Sequence, residues 1–185
     1  MDIYDAINSR RSVRRYSDKP IEQDKLDRIF EAVRQSPTWA NMQCQRFVLV
    51  TDAEHRARLS EYSSSEALMS AIGYKSNPSR KALAEAPLVA VACANPKDSG
   101  VMHTQNYYLV DIGIVSQTMM LAARAEGLGT VFVGIYDEDA VKGLLGIPAE
   151  VRVVGLFPIG YPLEEFKPSG PPRKTVEEII HLGKW

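Results

Sequence analysis

Two stretches near the N-terminus carry apolar residues at helical spacing. The first predicts a short helix, and its apolar members are Ile3, Ala6 and Ile7. The second follows the i, i+3, i+4, i+7 rule and predicts a helix that ends before Ser36-Pro37. Its members are Leu26, Ile29, Phe30 and Val33.

A longer helix is predicted between about Asn106 and Glu126. On one side its apolar positions repeat at intervals of four and three residues: Tyr108, Ile112, Val115, Met119 and Ala122. The other side is apolar as well, through Val110, Ile114 and Leu121. A helix that is apolar all round is buried, so we expect this one to need partners on several faces.

Short apolar runs between turn residues predict strands at 47–50, 88–93, 130–134 and 151–157. A further helix is expected between Asp137, as its N-terminal cap, and Gly146, which ends it. Helices that alternate with strands in this way predict an α+β fold, built as a three-layer α/β/α sheet domain.

Three other regions are less regular. Residues 60–80 are polar and rich in serine, and we expect part helix and part mobile loop. The segment from Pro162 to Pro172 holds four of the eleven prolines, which predicts an extended tail. Thr175 and Glu178 then have the spacing of a capping box, which predicts a last short helix.

The composition is typical of a globular chain: 185 residues, 45% apolar and 24% charged. We expect a single domain over 1–185. The net charge of −1 gives no general attraction to nucleic acid or to an anionic membrane, so neither is an expected partner. Cys44 and Cys93 are far apart in sequence, which favours free thiols in a reducing compartment, and hence a cytoplasmic protein, over a disulfide or a metal site.

Common catalytic motifs are missing from the sequence: there is no Walker loop, no His-Glu-x-x-His and no Gly-x-Ser-x-Gly. Gly127-Leu128-Gly129 follows a helix rather than a strand, so we interpret it as a helix end and not as a dinucleotide fingerprint. Without a nucleophile and its base, we expect no catalytic side chain and chemistry that belongs to a bound cofactor.

Two polar stretches are candidates for holding such a cofactor. The first contains Arg10, Arg11, Ser12 and Arg14. Its forked guanidinium groups and hydroxyl suit a dianionic phosphate, and a solvated basic turn is the alternative. The second runs from Ser36 to Gln43 and offers short donors and acceptors beside the flat surfaces of Pro37 and Trp39, although a loop that ends a helix uses similar residues.

The order of these and other motifs resembles the nitroreductase family of FMN-dependent oxidoreductases. The motifs are Arg-Arg-Ser-x-Arg from Arg10, Pro20-Ile21, Ser-Pro-Thr-x-x-Asn-x-Gln from Ser36, Gly127-Leu128-Gly129-Thr130, Gly160-Tyr161-Pro162 and Pro172-Arg173-Lys174. The resemblance covers nearly the whole chain. It implies a nitroreductase-like FMN fold, in which helices flank a central, mostly antiparallel sheet.

The resemblance also implies the residues of a tight, non-covalent FMN site. Those for the phosphate and ribityl chain would be Arg10, Arg11, Ser12, Arg14 and Arg173. A loop that reaches the flavin of the other subunit would contribute Pro37, Thr38, Trp39 and Asn41, with Gln43 as a further candidate. The strand end Val133-Gly134-Ile135 would pass close to the isoalloxazine ring, where a glycine leaves room for a backbone donor near N5.

An intertwined homodimer with two sites at its interface is implied as well. The long helix would form its core, and the tail, 162–185, would wrap the partner subunit. In the implied reaction NAD(P)H, a transient donor, delivers a hydride to flavin N5 and leaves, and an oxidised small molecule then takes the electrons. Arg14 is the first candidate for the cation beside N1 and O2 of reduced flavin; Lys81 is the second, and a solvated helix face explains Lys81 equally well.

The chain departs from the family pattern at two places near this site. Cys44-Gln45 stand where the family often has Pro-Trp, and Pro171 stands where many members have a basic residue. The first difference alters the wall under the flavin, and the second leaves the phosphate to Arg173 and Lys174.

The family accepts nitroaromatics, quinones and free flavins, so we expect a general NAD(P)H-dependent nitro- or quinone reductase. Candidates for a substrate wall are Tyr62, Met69 and Tyr74, which are equally consistent with local core. Two alternatives stay open. One is a dimer that binds a flavin or another phosphate-bearing ligand without redox activity; the other is a related chemistry of the fold, namely dehalogenation, flavin fragmentation or azoline oxidation.

Overall fold

A computed structural model describes residues 1–164 and 171–185. Its main sheet has four strands in the order β1–β2–β6–β5, and every neighbouring pair is antiparallel. These strands are Gln45–Val50 (β1), Leu88–Ala94 (β2), Gly129–Thr130 (β5) and Arg152–Gly160 (β6). A small hairpin, Val101–Met102 (β3) with Gln105–Asn106 (β4), stands apart from the sheet. The predicted central antiparallel sheet is thus confirmed.

Helices lie on both faces of this sheet. They are Ile3–Ser9 (α1), Gln23–Arg34 (α2), Ala53–Tyr62 (α3), Glu66–Ile72 (α4), Arg80–Glu85 (α5), Tyr107–Ala125 (α6) and Glu138–Leu145 (α7). In the described parts of the chain, none of them is long and apolar enough to cross a membrane.

Strand β2 is buried at all seven positions and divides the interior into two cores. Side chains alternate between the faces of a strand, so Leu88, Ala90 and Ala92 pack against α2 and α6. Val89, Val91 and Cys93 point the other way and pack against α3, α5 and α7. This arrangement is the three-layer α/β/α architecture that the sequence predicts.

Helix α6 differs from its prediction in one respect. One face is buried against the sheet and α2, through residues that include Ile112, Val115 and Met119. The opposite face is apolar but exposed: Leu109 and Val110 are 48% exposed and Ile114 is 39% exposed. The expectation that α6 is buried all round is therefore wrong for a single chain, because no element among residues 1–164 and 171–185 covers this face.

The strand predicted over 130–134 is also shorter than expected. Regular pairing ends at Thr130, and Val133 then forms an isolated bridge to Leu156. The same register would place Val131 opposite Pro158, which has no N–H to donate. The carbonyl of Pro158 accepts a hydrogen bond from the hydroxyl of Tyr16. The ladder is interrupted at that pair because neither backbone group of Pro158 is available.

The C-terminal capping box forms, but the helix predicted after it does not. Thr175 N donates to Glu178 Oε2 (2.8 Å) and Glu178 N donates to Thr175 Oγ1 (3.3 Å). Only one turn follows, closed by Ile180 N and Val176 O at 2.8 Å. A single turn needs tertiary packing to grow, and residues 171–185 are exposed throughout. Of the predicted extended tail, residues 165–170 lie outside the described residues.

Candidate functional site

The basic segment that follows α1 is held along the edge of the sheet. Arg10 is the residue that ends α1. Val13 N then donates to Thr130 O at 3.0 Å, and Ser12 pairs in parallel with Thr130. A Cβ on Gly129 would lie 2.6 Å from the side chain of Val13, so this close approach requires glycine there. The basic motif and the segment that leads to Gly134 are thus brought together at one edge.

Three guanidinium groups gather at this edge. The pKa of Arg10 is lowered, first by burial and then by the like charges of Arg173 and Arg11. In the described part of the chain, neither Arg10 nor Arg173 forms an ion pair with a carboxylate. Uncompensated positive charge in a partly buried position is unfavourable unless an anion binds there. Arg10 and Arg173, with the like charge of Arg11 nearby, therefore have the electrostatic character of an anion site.

The other cations of the basic region have different surroundings. Arg14 is exposed and has a long contact, 3.4 Å, from Nη1 to Ser12 O. Arg15 is paired with Glu85, whose two oxygens accept from Nε at 2.9 Å each. Lys81 lies on the exposed side of α5 and lines a shallow hollow with Arg80, Glu85 and Ser60. Lys81 thus lies beside Glu85, the partner of Arg15, on the surface of α5.

The second candidate stretch is a tight loop with unusual backbone geometry. Three of its residues that are not glycine have positive φ angles: Ala40 (44°), Asn41 (57°) and Gln43 (52°). Thr38 holds the loop closed, since its Oγ1 accepts from Gln43 N at 3.0 Å and its carbonyl accepts from Asn41 N at 3.0 Å. Left-handed residues of this kind cluster at ligand-binding sites.

Trp39 is packed within its own chain rather than exposed for a ligand. Its ring lies 4.1 Å from that of Tyr107, centroid to centroid. A Cβ on Gly100 would lie 2.2 Å from Trp39 Nε1, so the indole rests directly on this glycine. Of the predicted loop residues, Pro37, Asn41 and Gln43 are the exposed ones.

A buried carboxylate that the sequence analysis missed fixes this loop. Asp111 of α6 is 1% exposed. It accepts from Trp39 N (2.7 Å), Ser99 Oγ (2.8 Å) and Cys44 Sγ (3.3 Å). Burial, together with the hydrogen bond to Asp111, raises the pKa of Cys44 to about 11, so the thiol stays protonated and donates. One signal was available: Asp111 is a charged residue beside the apolar stripe of the predicted helix.

Asn77 is the second residue that the sequence analysis did not assign to the site. Its side-chain amide donates to Ser63 O (2.9 Å) and to Ile135 O (3.3 Å), and its Oδ1 accepts from Ser79 N (2.9 Å). These bonds tie both ends of the segment that contains α4 to Ile135. Neighbouring Gly134 is exposed, next to the ring of Phe132, and Val133 is fixed by its bridge to Leu156.

The loop and the arginine cluster lie at opposite ends of α6. Asp111 holds the loop near the N-terminal end of the helix, whereas Arg124 Nε, near its C-terminal end, donates to Ser9 Oγ at 2.9 Å, beside Arg10. At about 1.5 Å of rise per residue, Asp111 and Arg124 are about 20 Å apart along the helix. One chain therefore does not bring the two parts of the predicted site together.

Comparison with known proteins gives the same family as the motifs. The sequence profile of the nitroreductase family matches residues 7–161. A Methanothermobacter thermautotrophicus protein, provisionally named NADH dehydrogenase/NAD(P)H nitroreductase, is 30% identical, over 100% of this chain and 88% of the relative. The 5,6-dimethylbenzimidazole synthase of Rhodospirillum rubrum is 32% identical over 84% of this chain and 80% of the relative.

Two further comparisons support the same family. The FMN reductase [NAD(P)H] of Bacillus subtilis is 28% identical, over 97% of this chain and 73% of the relative. Among solved structures, a nitroreductase family protein from Clostridium novyi superposes with a TM-score of 0.80 at 30% identity, over 88% of this chain and 86% of that one. The family profile, the identity over full length and the shared fold all lead to one assignment: the chain belongs to the nitroreductase family.

Proposed function

We propose that this protein is an FMN-dependent oxidoreductase that takes a hydride from NAD(P)H and reduces nitroaromatic, quinone or similar small acceptors. The class, an NAD(P)H-dependent oxidoreductase, is the one that the names of two of the three relatives described share. The observation that carries the cofactor assignment is the cluster of Arg10, Arg11 and Arg173, in which a partly buried Arg10 meets two like charges.

The residues at the sheet edge fit FMN chemically. A phosphate monoester brings close to two negative charges at neutral pH, which would offset the repulsion within the cluster and accept charge-assisted hydrogen bonds. Ser12 and Arg14 follow directly along the same segment, so they would face the polar chain beyond the phosphate. Lys81, whose described neighbours are Arg80, Glu85 and Ser60, is the weakest of the proposed ligands.

The chemistry that bound FMN would supply is hydride acceptance from the nicotinamide, followed by electron transfer to the second substrate. The exposed backbone at Gly134 would lie beside the ring, and its conformation is fixed by the Val133–Leu156 bridge and by Asn77. Solvent can protonate the product, so no side chain is assigned as a catalytic acid. Donor and acceptor would use the same open face in turn, which predicts ping-pong kinetics.

We further propose a homodimer with two sites at its interface. Support comes from the exposed apolar face of α6 and from the apolar residues Val176, Ile179 and Leu182 in the exposed C-terminal segment. An exposed apolar area of this kind marks an interaction surface. Antiparallel packing of two α6 helices would place the loop of one chain, held by Asp111, near the Arg10 cluster of the other. Buried, unbridged Cys44 and Cys93 are consistent with a cytoplasmic location.

The visible absorption spectrum tests the cofactor and the donor together. The protein should bind FMN, and the flavin absorption should bleach on anaerobic addition of NADH or NADPH and return when a quinone or nitroaromatic is added. A protein that binds no FMN contradicts the assignment. One that binds FMN but is not bleached by either nicotinamide is a flavin-binding dimer without this reductase activity.

A second candidate is favoured by one relative, the 5,6-dimethylbenzimidazole synthase, which has the highest identity of the three relatives described. This function would belong to the flavin-fragmenting chemistry of the fold. It predicts that aerobic incubation with FMN and a nicotinamide consumes the flavin and yields 5,6-dimethylbenzimidazole, detectable by chromatography and mass spectrometry. Intact FMN after many turnovers would exclude it.

A further inference from the structure

Burial of the Asp111 carboxylate is unfavourable for folding. A contribution to stability alone therefore does not explain its position. All three of its donors are neutral groups, and none of the described residues forms an ion pair with it. A carboxylate without a cation loses its hydration on burial and regains only part of it from neutral donors. Such a residue is therefore a candidate for a positional role.

The loop that Asp111 contacts is strained. Ala40, Asn41 and Gln43 all occupy the left-handed region, at a cost of order 1–3 kcal/mol each for residues other than glycine. This geometry persists only when the surroundings enforce it. Thr38 closes the loop internally, but this contact does not fix the loop relative to the rest of the molecule.

Asp111 supplies that external attachment at both ends of the loop. Oδ1 accepts from Trp39 N at the beginning, and Oδ2 accepts from Cys44 Sγ at the end. Ser99, whose hydroxyl donates to Oδ2, prevents the carboxylate from rotating away. One buried side chain on a rigid helix thus holds both ends of the stretch from Trp39 to Cys44, in addition to the packing of the Trp39 ring on Tyr107 and Gly100.

We propose that Asp111 is a positioning residue of the cofactor site: it holds the loop from Thr38 to Gln43 in the conformation that contacts FMN. This inference rests on the proposed function. It assigns Asp111 no contact with the flavin itself; its effect is exerted through the backbone N–H of Trp39 and the thiol of Cys44.

Three variants test this role. Asp111→Ala removes every hydrogen bond to the carboxylate. Asp111→Asn retains an oxygen that accepts from Trp39 N and an amide that can donate to Ser99 Oγ, so it should rescue much of the function. Ser116→Ala is the control, because Ser116 lies on the same helix, is buried as well, and has a hydroxyl without a partner.

Two measurements separate positioning from general stability. In flavin-free protein, amide exchange in residues 36–44 should be at least about tenfold faster in Asp111→Ala and near wild type in Asp111→Asn and Ser116→Ala. The FMN dissociation constant should rise by at least about tenfold in Asp111→Ala and stay within about threefold in the other two. Wild-type exchange and affinity in Asp111→Ala would overturn the proposal.

A cysteine pair keeps the test decisive if Asp111→Ala does not fold. Cys44→Ala and Cys93→Ala remove the same buried atoms, but only Cys44 is bonded to Asp111. Cys44→Ala should weaken FMN binding several-fold more than Cys93→Ala, with comparable melting temperatures; equal affinities overturn the proposal. Failure of the wild-type protein to bind FMN would instead refute the proposed function, and the exchange data on flavin-free protein would still report on the loop.

Discussion

At the scale of single residues, two nearby arginines have opposite surroundings, which makes them a matched pair. Arg10 lies among like charges, whereas Arg15 is bonded through Nε to both oxygens of Glu85. We expect Arg10→Ala to raise the dissociation constant of FMN at least about tenfold through loss of a charge-assisted contact, and Arg15→Ala to change it less than about twofold. Titration with riboflavin, which lacks the phosphate, provides the control: its affinity should not respond to Arg10→Ala. Equal losses for FMN in the two variants would contradict the cluster as a phosphate site.

What the sequence can predict at this scale depends on where a residue's partners are. The basic motif is visible because its members are adjacent, and Arg173 enters through the family resemblance. Asp111 meets Trp39 across 72 positions, and Asn77 meets Ile135 across 58. Asp111 stands out in the sequence only as a charge beside an apolar stripe. Its contact with Trp39 N, like that of Asn77 with Ile135 O, is to a backbone group without a sequence signature, so neither role could be assigned before the fold was known.

At the scale of elements, the side-chain amide of Asn77 attaches the segment that contains α4 at both of its ends. Asn77→Ala should leave the carbonyls of Ser63 and Ile135 without their donor and lower stability by about 1–3 kcal/mol. It should also make residues 63–79 cut sooner in limited proteolysis. Asn77→Asp is the matched control for the turn, since its oxygen can still accept from Ser79 N while the amide donor is lost. If Asn77→Ala is cut no faster than wild type, the amide does not anchor this segment.

The elements that could be predicted are those with strong periodicity, such as α2, α6 and β2. Helix α3 was missed because only Leu59 and Ser60 of its ten residues are buried, which leaves no apolar stripe to detect. The predicted strand over 130–134 failed for a non-local reason, namely Pro158 on the neighbouring strand. A pattern within one segment does not reveal a missing donor on its partner.

At the scale of the whole molecule, the proposed dimer depends on the exposed face of α6. Ile114→Glu places a charge on that face and should convert the dimer to monomers, measured by light scattering during size-exclusion chromatography. The protein should lose its flavin together with the dimer, although Arg10 and its neighbours are unchanged. Ile72→Glu is the control, since Ile72 of α4 is exposed to the same 39% as Ile114. A monomeric Ile114→Glu protein that keeps full flavin would show that one chain forms the whole site.

The distance between the two ends of α6 has a consequence for how the protein behaves on dilution. If each flavin is enclosed by the arginines of one chain and the loop of another, a lone subunit is an incomplete enzyme. Flavin retention would then follow mass action: it would fall as total protein drops below the dimerisation constant and be sustained by excess FMN, because a ligand that bridges two chains also holds them together. The concentration of the enzyme in a cell would then determine the activity of each molecule as well as the number of molecules.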